Sequence, residues 1–218
     1  MDRAWPEASG GRLITVEGVE GAGKSTQVAR LGAWLEERGC FVVATAEPDG
    51  TPLGVRVREL LGTLSPLDPL AECLLFAAAR AEHTRRVIRP ALAGGAVVLC
   101  DRYADSTLAY QGYGRGVALE VIAEANRAAT EGLTPDLTIV LDLDAAEGMR
   151  RVRSRAGDPA ADPFERMGVE FHERVRKGYW AIQAREPRRV ALVDADRAPE
   201  AVAADIRRVV GERLGLGG

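Results

Sequence analysis

The chain has 218 residues, a formal net charge of −3 at pH 7, 46% hydrophobic and 28% charged residues, which fits one substantial α/β core and excludes a disordered chain. No apolar run nears the roughly 20 residues that span a bilayer. The slightly negative balance offers no bulk attraction for a nucleic acid polymer or an acidic membrane, so any anion recognition must be local.

Residues 1–11 lack an apolar signal segment and read as a short flexible leader, with residues 12–218 as a single domain and the cytoplasm as the expected address. The first strand-length run is Arg12 to Glu17. It leads through a glycine-rich turn into a helical stretch from Lys24 to Arg38, closed by Gly39. The run Cys40 to Ala46 precedes helical spacing over Pro52 to Leu61 and then from Asp68 to about Leu92. Ala96 to Asp101 is a third run, followed by a helix over Val117 to Glu131. Leu137 to Leu143, a helix over Ala145 to Arg155, another over Glu165 to Arg185, the run Arg189 to Ala195 and a helix over Pro199 to Leu214 complete the order. The apolar runs are near-continuous rather than alternating, as in strands covered on both faces, and their alternation with helices predicts a parallel sheet between helical layers. Pro52, Pro69 and Pro199 stand where a first helical turn tolerates a missing N–H. The Gly, Asp and Pro residues of Ala156 to Phe164 break the helix at Arg155, as either a lid or a simple turn. Cys40, Cys73 and Cys100 lack C-x-x-C spacing and read as reduced, buried thiols.

Gly18 to Ser25, GVEGAGKS, matches G-x-x-x-x-G-K-[ST] and lies between a strand and a helix, as a phosphate loop must. Its glycines let successive N–H groups face one phosphate, and the helix start adds partial positive charge. Gly18, Val19, Glu20, Gly21, Ala22, Gly23, Lys24, Ser25 and Thr26 are the expected ATP-binding residues. Lys24 is expected to reach the β and γ phosphates, and Ser25 to ligate Mg²⁺. No N-K-x-D guanine signature is present, since the sole asparagine, Asn126, precedes Arg127. A compact kinase therefore fits better than a GTPase switch or a motor.

Ligands of open α/β sheets bind at the carboxyl ends of the strands. Glu47, Asp101 and Arg102 arrive there, Asp101 as a candidate for Mg²⁺ and Arg102 for a phosphate, or else both as a capping or salt-bridge pair. The stretch DRYADSTLAYQGYGRG, Asp101 to Gly116, adds three tyrosines, a glutamine and three glycines, whose glycines are expected to let the chain approach a nucleotide closely.

The combination VEGVEGAGKST, EPDGT, LLFAAAR, DRYADSTLAYQGYGRG and PDLTIVLD resembles the bacterial thymidylate kinases, from Leu13 to the last helix. The resemblance implies a five-stranded parallel sheet of the P-loop nucleoside monophosphate kinase type, transfer of the γ-phosphoryl of ATP to dTMP, Mg²⁺ dependence, a short lid at about 152–166 and a homodimer. It implies that Phe76 stacks on thymine, that Arg80, one turn on, donates to a base carbonyl, and that Arg102 grips the dTMP phosphate. Thr107 and Gln111 would read the base edge, Tyr110 would pack beneath the sugar and reject a ribose, and Glu47 would complete the dTMP site. Glu20 would serve Mg²⁺ or the monophosphate, beside Ser25 and Asp101. Gly21 stands where eukaryotic-type members carry arginine, which turns attention to Arg151, Arg153 and Arg155; Arg153 and Arg155 are the catalytic candidates. A solvated helix face is the alternative for that basic run. Departures are Asp49 in EPDGT, Pro163 with Arg166 as a substitute cation, and His172, read as surface or dimer-facing. Another small P-loop nucleoside or nucleotide kinase, or a nucleotide-binding regulator, are the competing readings.

Overall fold

The computed structural model describes residues 10–155, Phe164 and residues 167–216, with Arg155 as backbone only. Five parallel strands form one sheet in the order β2-β3-β1-β4-β5: β1 Arg12–Gly18, β2 Val42–Ala46, β3 Val97–Asp101, β4 Leu137–Asp142 and β5 Val190–Asp194. Both faces are covered. Ile14, Val16, Leu99 and Ile139 pack into one apolar cluster, while Leu13, Val98 and Cys100 pack into another. That two-sided burial is why the strands read as continuous apolar runs.

The helices lie close to the predicted spans: α1 Lys24–Glu36, α2 Pro52–Thr63, α3 Pro69–His83, α4 Arg89–Ala93, α5 Ala104–Thr107, α6 Leu119–Thr130, α7 Ala145–Arg155, α8 Val169–Arg185 and α9 Pro199–Leu214. Proline opens α2, α3 and α9. Thr51 caps α2 by accepting from the Gly54 N–H, and Asp68 caps α3 by accepting from Leu70 and Ala71. The helix expected from Asp68 to Leu92 is interrupted by a π-helical turn, Thr84–Ile88. A second π-helical segment, Leu108–Gly114, continues α5 where no helix was expected. Glu165 and Arg166, the expected start of α8, lie outside the described residues, as do residues 1–9 of the expected leader.

Register brings the site together. Val16, Ala46 and Asp101 are level across β1, β2 and β3. The ladder runs on past the strand ends, with the Arg102 N–H donating to Val16 and the Glu47 N–H to Asp101, both at 3.0 Å. Glu17, Glu47 and Arg102 therefore emerge along one edge of the sheet.

Two expectations are corrected. His172 is 1% exposed, because its ring packs edge-on against Phe171 and Nε2 bonds the Phe164 carbonyl at 3.0 Å, so it is not a surface residue. Cys40 is half-buried, while Cys73 and Cys100 are buried as expected, and all three are free.

Candidate active site

The phosphate loop curls through left-handed glycines, with φ of 138° at Gly18, 75° at Gly21 and 89° at Gly23. Buried Lys24 donates through Nζ to the Gly18 carbonyl at 3.2 Å and the Val19 carbonyl at 3.0 Å, folding back over its own loop. Burial, reinforced by the Arg102 charge, lowers its pKa, against the pull of Glu20 and Asp101. Arginine cannot replace Gly21 here: besides its positive φ, a Cβ would meet the Gly148 carbonyl oxygen at 2.2 Å. Gly148 is equally constrained, a Cβ there meeting the Glu20 carbonyl oxygen at 2.3 Å. The loop thus rests on the backbone of α7.

Beside it, the Ser25 hydroxyl donates to Asp101 Oδ2 at 2.6 Å. Arg102 follows in a left-handed conformation, φ 70°. Its Nη1 reaches the Gly18 carbonyl and Ser106 Oγ, both at 3.3 Å, and its Nη2 reaches Glu20 and, at 3.1 Å, the Tyr110 hydroxyl. The Tyr110 hydroxyl donates in turn to Glu20 at 3.0 Å. Burial would raise the Glu20 carboxyl, but Arg102, Lys24 and the Tyr110 hydrogen bond outweigh it and hold the group down at about 2. Glu20 is a carboxylate clasped by the arginine proposed for phosphate.

An open cleft of about 580 Å³, solvent mouth included, starts at this cluster. Phe76, Leu61, Pro48 and Phe164 supply apolar wall, and Glu47, Arg80, Thr107 and Gln111 supply polar groups. Phe76 is half-buried, with Phe164 at 6.1 Å between ring centroids, so it packs against the core on one side and lines the cleft on the other. Arg80 lines the cleft yet is almost wholly buried, donating to Glu47 Oε2 at 2.9 Å, Asn126 Oδ1 at 2.7 Å and the Tyr103 carbonyl at 3.1 Å. Holding Glu47 is a task that the sequence did not reveal for it. His83 supports the other Glu47 oxygen at 3.3 Å and Thr45 at 2.7 Å. Gln111 Nε2 donates to Glu72, which also accepts from Arg115.

The glycines of Asp101 to Gly116 do something other than expected. A Cβ at Gly112 would meet Leu119 of α6 at 2.6 Å, and one at Gly114 would meet Phe171 of α8 at 2.6 Å. They admit neighbouring helices rather than a nucleotide; Gly116 supplies a positive φ.

In α7, Arg151 is taken up by Glu147 at 2.7 Å and Asp196 at 2.8 Å. Arg153 is exposed and makes no ion pair with a described residue. The Arg155 side chain, Pro163, Arg166 and most of the expected lid lie outside the described residues. Asp49 is tied to Arg58 Nε at 2.7 Å, at the rim of the cleft. Leu61, Pro48, Ser106, Arg58 and Phe164 were missed as cleft residues, since apolar and loop residues give no spacing signal. Glu17 was missed as well, though a carboxylate ending a strand covered on both faces is such a signal.

Among the described residues, no cluster of three His, Cys, Asp or Glu side chains could hold a metal, and no helix is long and apolar enough to cross a membrane.

A family profile described as thymidylate kinase matches residues 16–206. The thymidylate kinase of Pelotomaculum thermopropionicum is 51% identical over 94% of this chain and 94% of its own length, and that of Deinococcus radiodurans is 50% identical over 94% and 98%. The thymidylate kinase of Synechococcus sp. (strain JA-3-3Ab) is 53% identical over 93% and 96%. A crystal structure of thymidylate kinase from Ehrlichia chaffeensis superposes with a TM-score of 0.77 at 33% identity, covering 93% of this chain and 100% of that one. Loop, cleft and relatives agree: the chain belongs to the thymidylate kinase family.

Proposed function

We infer that this protein transfers the γ-phosphoryl group of ATP to dTMP, giving dTDP and ADP for dTTP synthesis. The observation that carries the reading is the meeting of a phosphate loop with the Asp101–Arg102 turn beside an open cleft lined by Phe76, Thr107, Tyr110 and Gln111. Donor and acceptor phosphates would then face each other across Lys24 and Arg102. Gly18 to Thr26 cradle the ATP phosphates. Lys24 leaves its loop carbonyls for them, a lysine being free to swing as a point charge. The dTMP phosphate displaces the Glu20 carboxylate from Arg102, exchanging one anion for another at the same guanidinium.

Phe76 offers a flat apolar face to thymine. Gln111, with its amide N–H₂ directed to Glu72, presents its carbonyl oxygen as the acceptor for N3–H, beside the Thr107 hydroxyl. Arg80 and Glu47 form the polar floor. Tyr110, its hydroxyl fixed by Glu20 and Arg102, presents a rigid ring that a ribose 2′-OH would meet sterically.

Ser25 and Asp101 fit Mg²⁺: a hydroxyl and a carboxylate 2.6 Å apart are hard oxygen donors that would hold the ion, with Glu20 as a further candidate once released from Arg102. Held there, Mg²⁺ would supply positive charge that offsets the phosphate charge during transfer. Arg153 and Arg155, leading toward residues 156–166, are the cations proposed for the transferring phosphoryl in place of an arginine at position 21. A homodimer in the cytoplasm completes the reading.

ADP release measured with ATP and dTMP, dUMP, UMP, CMP or thymidine tests the substrate. Turnover highest with dTMP supports the reading, and transfer to thymidine but not dTMP would overturn it.

A further inference from the structure

Glu17 is fully buried between the end of β1 and the phosphate loop, and no role in binding either nucleotide accounts for it. Its carboxylate gathers donors from two other parts of the fold. Oε1 accepts from the Tyr103 N–H at 2.8 Å, and Oε2 accepts from the Ser106 hydroxyl at 2.5 Å and the Tyr179 hydroxyl of α8 at 2.9 Å. Tyr103 directly follows Arg102, and Ser106 lies four residues after it. That arginine holds φ 70°, a conformation that a non-glycine residue keeps only when its surroundings over-determine it. Glu17 is one such determinant, because it binds the backbone of the very next residue.

The hydrogen-bond directions extend the effect to the guanidinium. Ser106 gives its only proton to Glu17, so the lone pairs of Oγ are left to accept from Arg102 Nη1 at 3.3 Å. We propose that Glu17 is a positioning residue for phosphoryl transfer, which sets the backbone and guanidinium of Arg102 against the phosphate loop through Tyr103 and Ser106. It joins the acceptor side to the donor side rigidly, since Glu17 precedes Gly18 of the loop by one residue. The inference rests on the ATP-to-dTMP reading above.

Glutamine is the discriminating substitution. It keeps shape, but its amide has one acceptor oxygen where the carboxylate has two. Either Tyr103 loses its acceptor, or the new N–H₂ meets Ser106 and turns the hydroxyl proton toward Arg102, donor against donor.

With the nucleotide that the wild type phosphorylates best, Glu17→Gln should raise KM for the monophosphate about tenfold and leave KM for ATP within about twofold. In an Arg102→Ala background the same substitution should change either constant by less than about twofold, because the residue it acts through is gone. Ser106→Ala should reproduce the KM effect at about threefold, and it decides the matter if Glu17→Gln does not fold by circular dichroism. Unchanged monophosphate KM in the folded variants, an equal effect with Arg102 absent, or a rise confined to ATP would overturn the proposal. Because the test uses the best wild-type acceptor, a preference for a monophosphate other than dTMP would refute the substrate assignment without touching the Glu17 result.

Discussion

At the residue scale one tight constraint lies between two backbones. Gly148 lies inside α7, where alanine ordinarily favours a helix by about 1 kcal/mol, yet its Cβ would meet the Glu20 carbonyl oxygen at 2.3 Å. Backbone cannot yield as a side-chain tip does, so Gly148→Ala should lower stability by about 1–3 kcal/mol and raise KM for ATP by displacing the loop; calorimetry and initial rates check both. Gain of stability would show that α7 moves freely. Glu17 predicts the pH response. Burial, then the Asp105 charge, push its carboxyl up to about 7, against Ser106, Arg102 and the Tyr103 N–H. A carboxyl raised in the folded state stabilises below its unfolded pKa, near 4.5, and loses that contribution as pH climbs through 7, about 3 kcal/mol in all. Relative to Glu17→Gln, the wild type should therefore lose Tm between pH 5 and 8; a constant difference would contradict this. Much of the site was legible because phosphate chemistry leaves spacing: Gly18 to Ser25 and Asp101–Arg102 are close in sequence. The pairing of Arg80 with Glu47, and the His83 and Asn126 contacts around it, were not, because a buried polar network joins residues far apart in the chain.

At the element scale the cleft depends on the π-helical segment Leu108–Gly114, which carries Tyr110 and Gln111. Its wider turn is invisible to a 3.6-residue pattern, and the glycine-rich composition suggests a loop instead. The glycines serve packing: Gly114 lies under the Phe171 ring of α8, with Val175 also within 3.1 Å of the position of its absent Cβ. Gly114→Ala should push the segment away from α8 and shift Tyr110, which packs against Phe171 at 6.0 Å. The expected outcome is a loss of about 1–3 kcal/mol by denaturant unfolding, with KM for dTMP rising more than KM for ATP. Equal changes in both constants would place the disturbance outside the cleft. The strands were easier to read, since burial on both faces leaves long apolar runs with sharp ends.

At the scale of the whole molecule, the sheet explains where the site is, and the helical surface suggests what covers the rest. Leu53, Leu60 and Leu64 of α2, or just beyond it, and Leu70 and Leu74 of α3 are exposed, as is Val121 of α6; Leu64 and Leu74 exceed half exposure. Leu53, Leu60 and Leu64 recur at helical spacing on one stripe, beside buried Val57 and Leu61. These residues lie on neighbouring helices, since α3 packs against both α2 and α6. The proposed homodimer would bury such an apolar side, and in a two-fold dimer each patch would meet its own copy. Leu74→Glu then sets a carboxylate into both halves of the contact at once, with no cation supplied to pair it. Sedimentation equilibrium should give twice the 23.3 kDa chain mass for the wild type and 23.3 kDa for the variant. The same helix carries Phe76 and Arg80, so the separated chain should also bind dTMP more weakly while its KM for ATP stays near that of the wild type. A wild-type chain that sediments as a monomer at assay concentration would remove the dimer, and with it the link between this face and the cleft.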